Sequence, residues 1–225
     1  MPIIGIVARP SDNKKEKYDY VSDNLRRAVI KSGGIPLAIL STDKRIYELD
    51  KHIENKLDEE TKTNLDKVLS FCDGIIFQGG SKFYPTDKYI AKYVIENDIP
   101  ALGICLGMQL LNHADNHEKS ILIKIDKHLD NNKYVHEIDI FKDTLLSNIL
   151  NKEKIKVNSR HRLAILKLNN FKVCAKSKDK LIESIYYPGK RFILGVQFHP
   201  EDMYFYDENA RLIFKRFIEE CQNVR

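Results

Sequence analysis

One segment of the 225-residue chain joins a reactive side chain to a strong backbone signal: Leu102-Gly103-Ile104-Cys105-Leu106-Gly107-Met108-Gln109. An apolar run enters Gly-x-Cys-x-Gly and leaves it as a helix-forming stretch. Glycines on both sides of a cysteine suit a sharp strand-to-helix corner, where helix and strand approach closely beside a strained residue. Such a corner sets Cys105 at the C-terminal edge of a parallel sheet, where α/β clefts form. It also sets the thiol at a helix N-terminus, whose partial positive charge favours thiolate. The Leu106 amide at that position has no intrahelical acceptor and can stabilise an oxyanion. The expected chemistry is nucleophilic attack on a carbonyl. Cys72, Cys174 and Cys221 lack such a corner and read as buried structural thiols.

A cysteine nucleophile needs a base held in place by a third group. Of the seven histidines, only His199 closes a long apolar strand with an acid beside it, in Phe192-Ile-Leu-Gly-Val-Gln-Phe-His199-Pro200-Glu201. Residues two apart in extended chain point the same way. Glu201 is therefore expected beside His199, orienting the imidazole and stabilising its charged form, with Pro200 ending the strand. Taken alone, His-Pro-Glu also fits a solvated loop; the cysteine corner gives it weight. Gly79-Gly80 ends the strand expected next to that of Cys105. Its turn either presents N–H groups to a developing negative charge or is a plain tight turn. His113 and His117 stand at metal-binding helical spacing, but no third ligand is evident, so no metal site is expected. His136 and Glu137 alternate across a strand and make no dyad. Tyr84, Tyr89, Tyr186 and Tyr187 are cleft-lining candidates or ordinary aromatics.

The elements that must position these residues can be read from apolar periodicity. Pro2–Ala8, Ile35–Leu40, Asp73–Phe77 and Ala101–Ile104 read as strands. Between them, Tyr18–Lys31, a helix within the charged stretch Ser41–Ser70, Thr86–Asn97 and Leu106–Ala114 read as helices. This alternation predicts an α/β fold with a mainly parallel sheet. The second half changes character. Ile121–Ile125, Val135–Phe141, Ile155–Val157, Phe171–Ala175, Leu181–Tyr187 and Phe192–Phe198 are strand-like with few helical signals between, so more antiparallel pairing is expected there. Ala210–Cys221 is an amphipathic helix. No repeat or linker breaks the chain, and a single domain over 1–225 is expected.

Composition excludes several classes. Hydrophobic residues make up 43% and charged residues 31%, ordinary for a globular protein. The net charge of +5 is spread among interleaved acids, leaving no basic block for nucleic acid. No stretch approaches the roughly 20 apolar residues that span a bilayer, and the first apolar run is too short for a signal peptide. Four cysteines without a CxxC pair suggest reduced thiols and a cytoplasmic setting.

With these motifs in hand, the chain resembles the class I glutamine amidotransferase family. The cues are Gly103-Ile-Cys105-Leu-Gly107-Met-Gln109, Gly195-Val-Gln197-Phe-His199-Pro-Glu201 and Asp73-Gly-Ile-Ile-Phe-Gln-Gly-Gly80, in matching order over nearly the whole chain. Within the class, Val157-Asn158-Ser159-Arg160-His161 and Ile182-Glu183-Ser184 resemble the stand-alone γ-glutamyl hydrolase branch, the C26 peptidase group. The resemblance implies a flavodoxin-like three-layer fold. It implies that Cys105 forms a glutamyl thioester and that His199, supported by Glu201, protonates the leaving amine and then activates water. Gly80 and Leu106 N–H groups would hold the oxyanion. Gln109, with Gly79, Ser159 and His161, would bind a small γ-glutamyl substrate, and no cofactor is implied. Lys82 occupies a usually acidic position, the Pro85–Pro100 segment is short, and Arg162 replaces a usual second histidine. These differences fall where the leaving group would bind and leave the amine open. Three readings follow: a free-standing γ-glutamyl amide hydrolase, alone or as a homodimer; a glutaminase subunit feeding ammonia to a synthase partner; or a non-catalytic binding domain, against which the intact Cys105, His199 and Glu201 argue.

Overall fold

The computed structural model describes all residues except 12–15, 44–55, 117–121, 127 and 223–225. In chain order the elements are β1 (Ile3–Val7), β2 (Arg9–Pro10), β3 (Asp19–Tyr20), α1 (Asp23–Lys31), β4 (Ile35–Ile39), α2 (Glu59–Leu69), β5 (Gly74–Phe77), α3 (Pro85–Glu96), β6 (Ala101–Ile104), α4 (Leu106–Asp115), β7 (Leu122–Lys124) and β8 (Leu129–Asp130). There follow β9 (His136–Ile140), α5 (Leu145–Leu150), β10 (Lys154–Val157), β11 (Ser159–Arg160), β12 (Leu163–Ile165), β13 (Lys172–Ser177), β14 (Ile182–Tyr186), β15 (Ile193–Val196), α6 (Pro200–Met203) and α7 (Glu208–Gln222).

A nine-stranded sheet runs β10-β9-β13-β14-β15-β6-β5-β1-β4. The half from β4 to β15 is parallel, and β14, β13, β9 and β10 continue it antiparallel. β1, β5, β6 and β15 carry almost unbroken buried aliphatic runs because both faces are covered. On one face α1 and α7 pack through Leu25, Val29, Phe214 and Phe217. On the other, α2, α3 and α4 pack through Leu65, Ile90, Val94 and Leu111. The result is the expected flavodoxin-like, three-layer α/β arrangement, with each buried Phe of α7 contributing about 2–3 kcal/mol.

Four local expectations need correction. The helix expected from Tyr18 begins only at Asp23, because Asp19 and Tyr20 pair with Pro10 and Arg9. The Gln78 side chain holds that segment off the helix, donating to the Tyr20 carbonyl (3.0 Å) and accepting from the Ser22 amide (3.1 Å). β15, in the half expected to pair antiparallel, lies parallel to β6, with Val196 opposite Ile104. It ends at Val196, so His199 and Pro200 do not lie in extended strand: His199 is the N-cap of α6 and Pro200 its first residue. Finally, α5 lacked a visible long apolar period. It is fixed by a capping box between Thr144 and Ser147 and by burial of Leu146 and Leu150. His117, Ile121 and much of the charged Ser41–Ser70 stretch lie outside the described residues. Among the described residues no helix is long and apolar enough to cross a membrane.

Candidate functional site

Cys105 sits between β6 and α4 with φ 52° and ψ −105°, a conformation that is costly for a residue with a Cβ. The flanking glycines permit it. A Cβ on Gly107 would lie 2.0 Å from the Phe77 carbonyl oxygen, and one on Gly103 would lie 2.7 Å from the Gly107 backbone. No side chain fits at either position, so the corner read from the sequence is enforced by contact between β5, β6 and α4. The Cys105 amide donates to the Val196 carbonyl (2.8 Å), tying the corner to β15.

β15 lies beside β6, so the chain that leaves it brings His199 to the same sheet edge. The His199 imidazole and the Cys105 side chain both border Gly79 and lie close enough for the cysteine to raise the imidazole pKa, and the imidazole Nδ1 is 2.8 Å from Glu201 Oε1. The two residues meet through the turn into α6 rather than through the extended spacing expected from sequence. Burial pulls the His199 pKa down, but the Glu201 carboxylate and the Cys105 side chain outweigh it and hold the imidazole well above its ordinary value. Glu201 is itself buried.

Three residues the sequence reading did not single out fix this geometry. Asn158, fully buried, grips the His199 backbone twice: its Nδ2 donates to the His199 carbonyl (2.9 Å) and its Oδ1 accepts from the His199 amide (2.8 Å). Its position in the Asn-Ser motif was the only sequence signal. Gln78 also donates to the Val7 carbonyl (3.0 Å). Buried Arg9 ion-pairs with Asp87 and donates to the Gln78 carbonyl (3.2 Å), so the chain entering Gly79-Gly80 is held from two sides.

A cavity of about 370 Å³ opens over Cys105, and Gly80, Leu106, Gln109, Arg160, His161 and Arg162 help line it. Gly80 and Leu106, the two expected oxyanion donors, both line this cavity, and a Cβ on Gly80 would fall 3.2 Å from Leu106 Cδ2. Gln109 is fixed at the cavity wall by donating to the Leu163 carbonyl and to Gln197 Oε1, both at 3.0 Å. Arg160 pairs with Asp202, which also accepts from Asn24 (2.8 Å). A smaller hollow of about 120 Å³ adjoins through Gly80 and Ser81 and is walled by Arg9, Tyr20, Lys82 and Tyr84.

Other expected contributors lie elsewhere. Gly79 does not line the cavity; it makes room for the imidazole, since a Cβ there would stand 2.8 Å from His199 Cε1. Ser159 is fully buried behind the cavity and donates to the His128 carbonyl (2.8 Å). His161 lines the cavity, but its Nε2 turns to Glu183 (3.7 Å). His136 makes no dyad with Glu137, as expected, yet stands 3.2 Å from Glu183, a long-range partner that no local pattern indicates. His113 stacks on Phe83 at 5.1 Å. Tyr89 donates to Asp66 and Tyr187 packs on Phe171, both away from Cys105. The other three cysteines are buried free thiols. Burial, aided by Asp73, pushes the Cys72 thiol up to about 11, and burial raises Cys174 and Cys221 as well.

Comparison with known proteins places this geometry. A model of the Peptidase C26 family matches residues 86–201, which includes Cys105, His199 and Glu201. A glutamine amidotransferase-like protein of Rickettsia prowazekii is 26% identical, with 99% of each chain covered. A CTP synthase of Staphylococcus epidermidis is 30% identical over 80% of this chain, which spans only 40% of that enzyme's length. Among solved structures, a GMP synthase subunit from Thermoplasma acidophilum superposes with TM-score 0.67 at 19% identity, covering 99% of this chain and 95% of its own. The glutaminase domain of Trypanosoma brucei CTP synthase superposes with TM-score 0.69 at 17% identity, covering 99% and 94%. These two share the fold. The strained cysteine corner, the His-Pro-Glu turn beside it and the family match over more than half of the chain together establish that the chain belongs to the peptidase C26 family of class I glutamine amidotransferase-like proteins.

Proposed function

We propose that the protein hydrolyses the γ-glutamyl amide bond of glutamine or a γ-glutamyl amine through a thioester on Cys105. The observation that carries this reading is the His199 imidazole, bonded to Glu201 and set beside a cysteine held at φ 52°. The imidazole beside the thiol is placed to accept the thiol proton, giving a nucleophile and an acid side by side. The Cys105 sulfur attacks the γ-carbonyl carbon, and the oxygen takes up the charge between the Leu106 and Gly80 N–H groups. His199 gives its proton to the departing nitrogen as the C–N bond breaks, leaving the acyl thioester. Water then loses a proton to His199 and attacks the thioester carbon; the C–S bond breaks and glutamate leaves. Glu201 keeps the ring oriented and stabilises its cationic form throughout. Gln109 and Arg162 line the cavity where the polar groups of the glutamyl moiety would lie, and the hollow beside Gly80 and Ser81 offers an exit for the leaving amine.

A panel of γ-glutamyl amides, glutamine included, assayed for glutamate release tests the reading. Turnover by the wild type and none by Cys105→Ala is expected. No release from any γ-glutamyl amide, together with no covalent labelling of Cys105 by a glutamine-mimicking electrophile, refutes it. A second reading has its own support in the CTP synthase and GMP synthase relatives: a glutaminase unit working with a synthase. Slow glutamine hydrolysis that rises sharply when a synthase partner is added would select it.

A further inference from the structure

Behind the cavity wall, His128, His136 and Glu183 converge on one point beside His161, which lines the cavity. Pairing of β8 with β11 sets His128 against His161, whose amide donates to the His128 carbonyl (2.9 Å). β9 supplies His136 and β14 supplies Glu183. Glu183 is fully buried, and among the described residues neither of its oxygens accepts an aligned hydrogen bond. A buried ionised carboxylate in that state is expensive unless a cation faces it. Three imidazole nitrogens surround Glu183 Oε1: His136 Nε2 at 3.2 Å, His128 Nδ1 at 3.6 Å and His161 Nε2 at 3.7 Å.

The outer hydrogen bonds assign the ring protons. His161 Nδ1 meets the Leu163 carbonyl (3.0 Å), which can only accept, so in the neutral ring Nε2 presents a lone pair toward Glu183. His128 Nε2 meets Asp179 Oδ2 (2.9 Å), so in the neutral ring its Nδ1 carries the lone pair, facing Glu183 and Ser159 Oγ (3.4 Å). Lone pairs facing a carboxylate repel; a metal cation among them turns that repulsion into coordination. Donor atoms around a tetrahedral ion with bonds of about 2.0–2.1 Å stand about 3.3–3.4 Å apart; Glu183 Oε1 stands 3.2 Å from His136 Nε2 and 3.6 Å from His128 Nδ1. The Asp179–His128 contact is the carboxylate support that metal-bound histidines use.

We propose that His128 Nδ1, His136 Nε2 and Glu183 form a binding site for a divalent first-row metal of the zinc class. Imidazole with one carboxylate suits this class better than Mg²⁺ or Ca²⁺. The site ties the chain entering β8 to β9 and β14, next to the His161 that lines the cavity.

The test is titration of the chelator-stripped full chain with Zn²⁺ and Co²⁺, in a Cys105→Ser background so that the active-site thiol does not compete. One equivalent bound, a tetrahedral Co²⁺ visible spectrum and a raised Tm are expected. His136→Ala, at a partly exposed ring, should remove that equivalent while circular dichroism stays unchanged. Asp179→Asn leaves every ligand in place and should weaken binding by about 10- to 100-fold. No binding to the folded protein at micromolar metal overturns the proposal, and elevated histidine pKa values by NMR would then show an imidazolium–carboxylate cluster. Binding that survives His136→Ala and Glu183→Gln but is lost in His199→Ala overturns it equally.

Discussion

Gly79→Ala isolates the position of the proposed base from its chemistry. Gly79 has no left-handed φ, so alanine fits its backbone, but the new Cβ would stand 2.8 Å from His199 Cε1. Ordinary contact begins at 3.4 Å, so the ring must retreat by about 0.6 Å. It has little freedom to do so. Asn158 holds its backbone through two hydrogen bonds and Glu201 holds its Nδ1 at 2.8 Å. The movement therefore comes out of the contact with Cys105. A misplacement approaching 1 Å costs on the order of a hundredfold, so a fall in kcat/KM of roughly 10- to 100-fold is expected. Stability should change little, because the strain is partly offset by about 0.4–1 kcal/mol from a stiffer unfolded chain. Glutamate release measured alongside thermal unfolding checks this. Wild-type kcat/KM in Gly79→Ala would refute the claim that His199 is packed against this glycine at a working distance from Cys105. A collapse of Tm matching the loss of activity would refute the positioning argument in favour of simple packing.

Asn158→Ala should lower both activity and stability, the latter by about 1–3 kcal/mol, because it leaves the buried His199 amide and carbonyl unpaired; chemical denaturation and kinetics on one preparation measure both. Glu201→Gln should lower the His199 pKa, read by NMR, and reduce kcat/KM less than His199→Ala does. The sign for stability follows from the raised pKa. Its contribution is complete below the unfolded histidine value near 6.5 and is lost as pH rises through the higher folded value, so the urea midpoint of the wild type should fall over that window and that of Glu201→Gln should fall less. A glutamine-mimicking electrophile should modify Cys105 alone, since burial keeps Cys72, Cys174 and Cys221 protonated; peptide mapping by mass spectrometry decides it. Gly107→Ala should unfold the corner outright, by about 3 kcal/mol or more, because its Cβ would meet the Phe77 carbonyl oxygen at 2.0 Å, and a normal Tm would contradict the enforced-corner account.

Local chemistry was legible in the chain. Gly-x-Cys-x-Gly between an apolar strand and a helix pattern specifies a tight corner, because only glycine admits the approach that Phe77, Gly103 and Gly107 make. The alternation of buried aliphatic runs with amphipathic stretches specified a parallel sheet covered on both faces. Such signals act over a few residues or at a fixed period, so they survive in one dimension. The location of β15 did not. Nothing in Ile193–Val196 says that it slots beside β6 rather than joining the antiparallel half, yet that one pairing carries His199 to Cys105. The grip of Asn158 on His199 spans 41 positions, and the hold of Gln78 on Ser22 spans 56. Likewise Ser159 has the residue type of a substrate contact but is sealed behind the cavity by the β8–β11 pair. His136, next to an acid in the chain, finds its partner in Glu183 two strands away in the sheet. Sequence thus determined which groups could react and the corner that presents one of them. Tertiary packing alone decided which groups meet, because strand order and side-chain burial depend on contacts between segments with no periodic relation to one another.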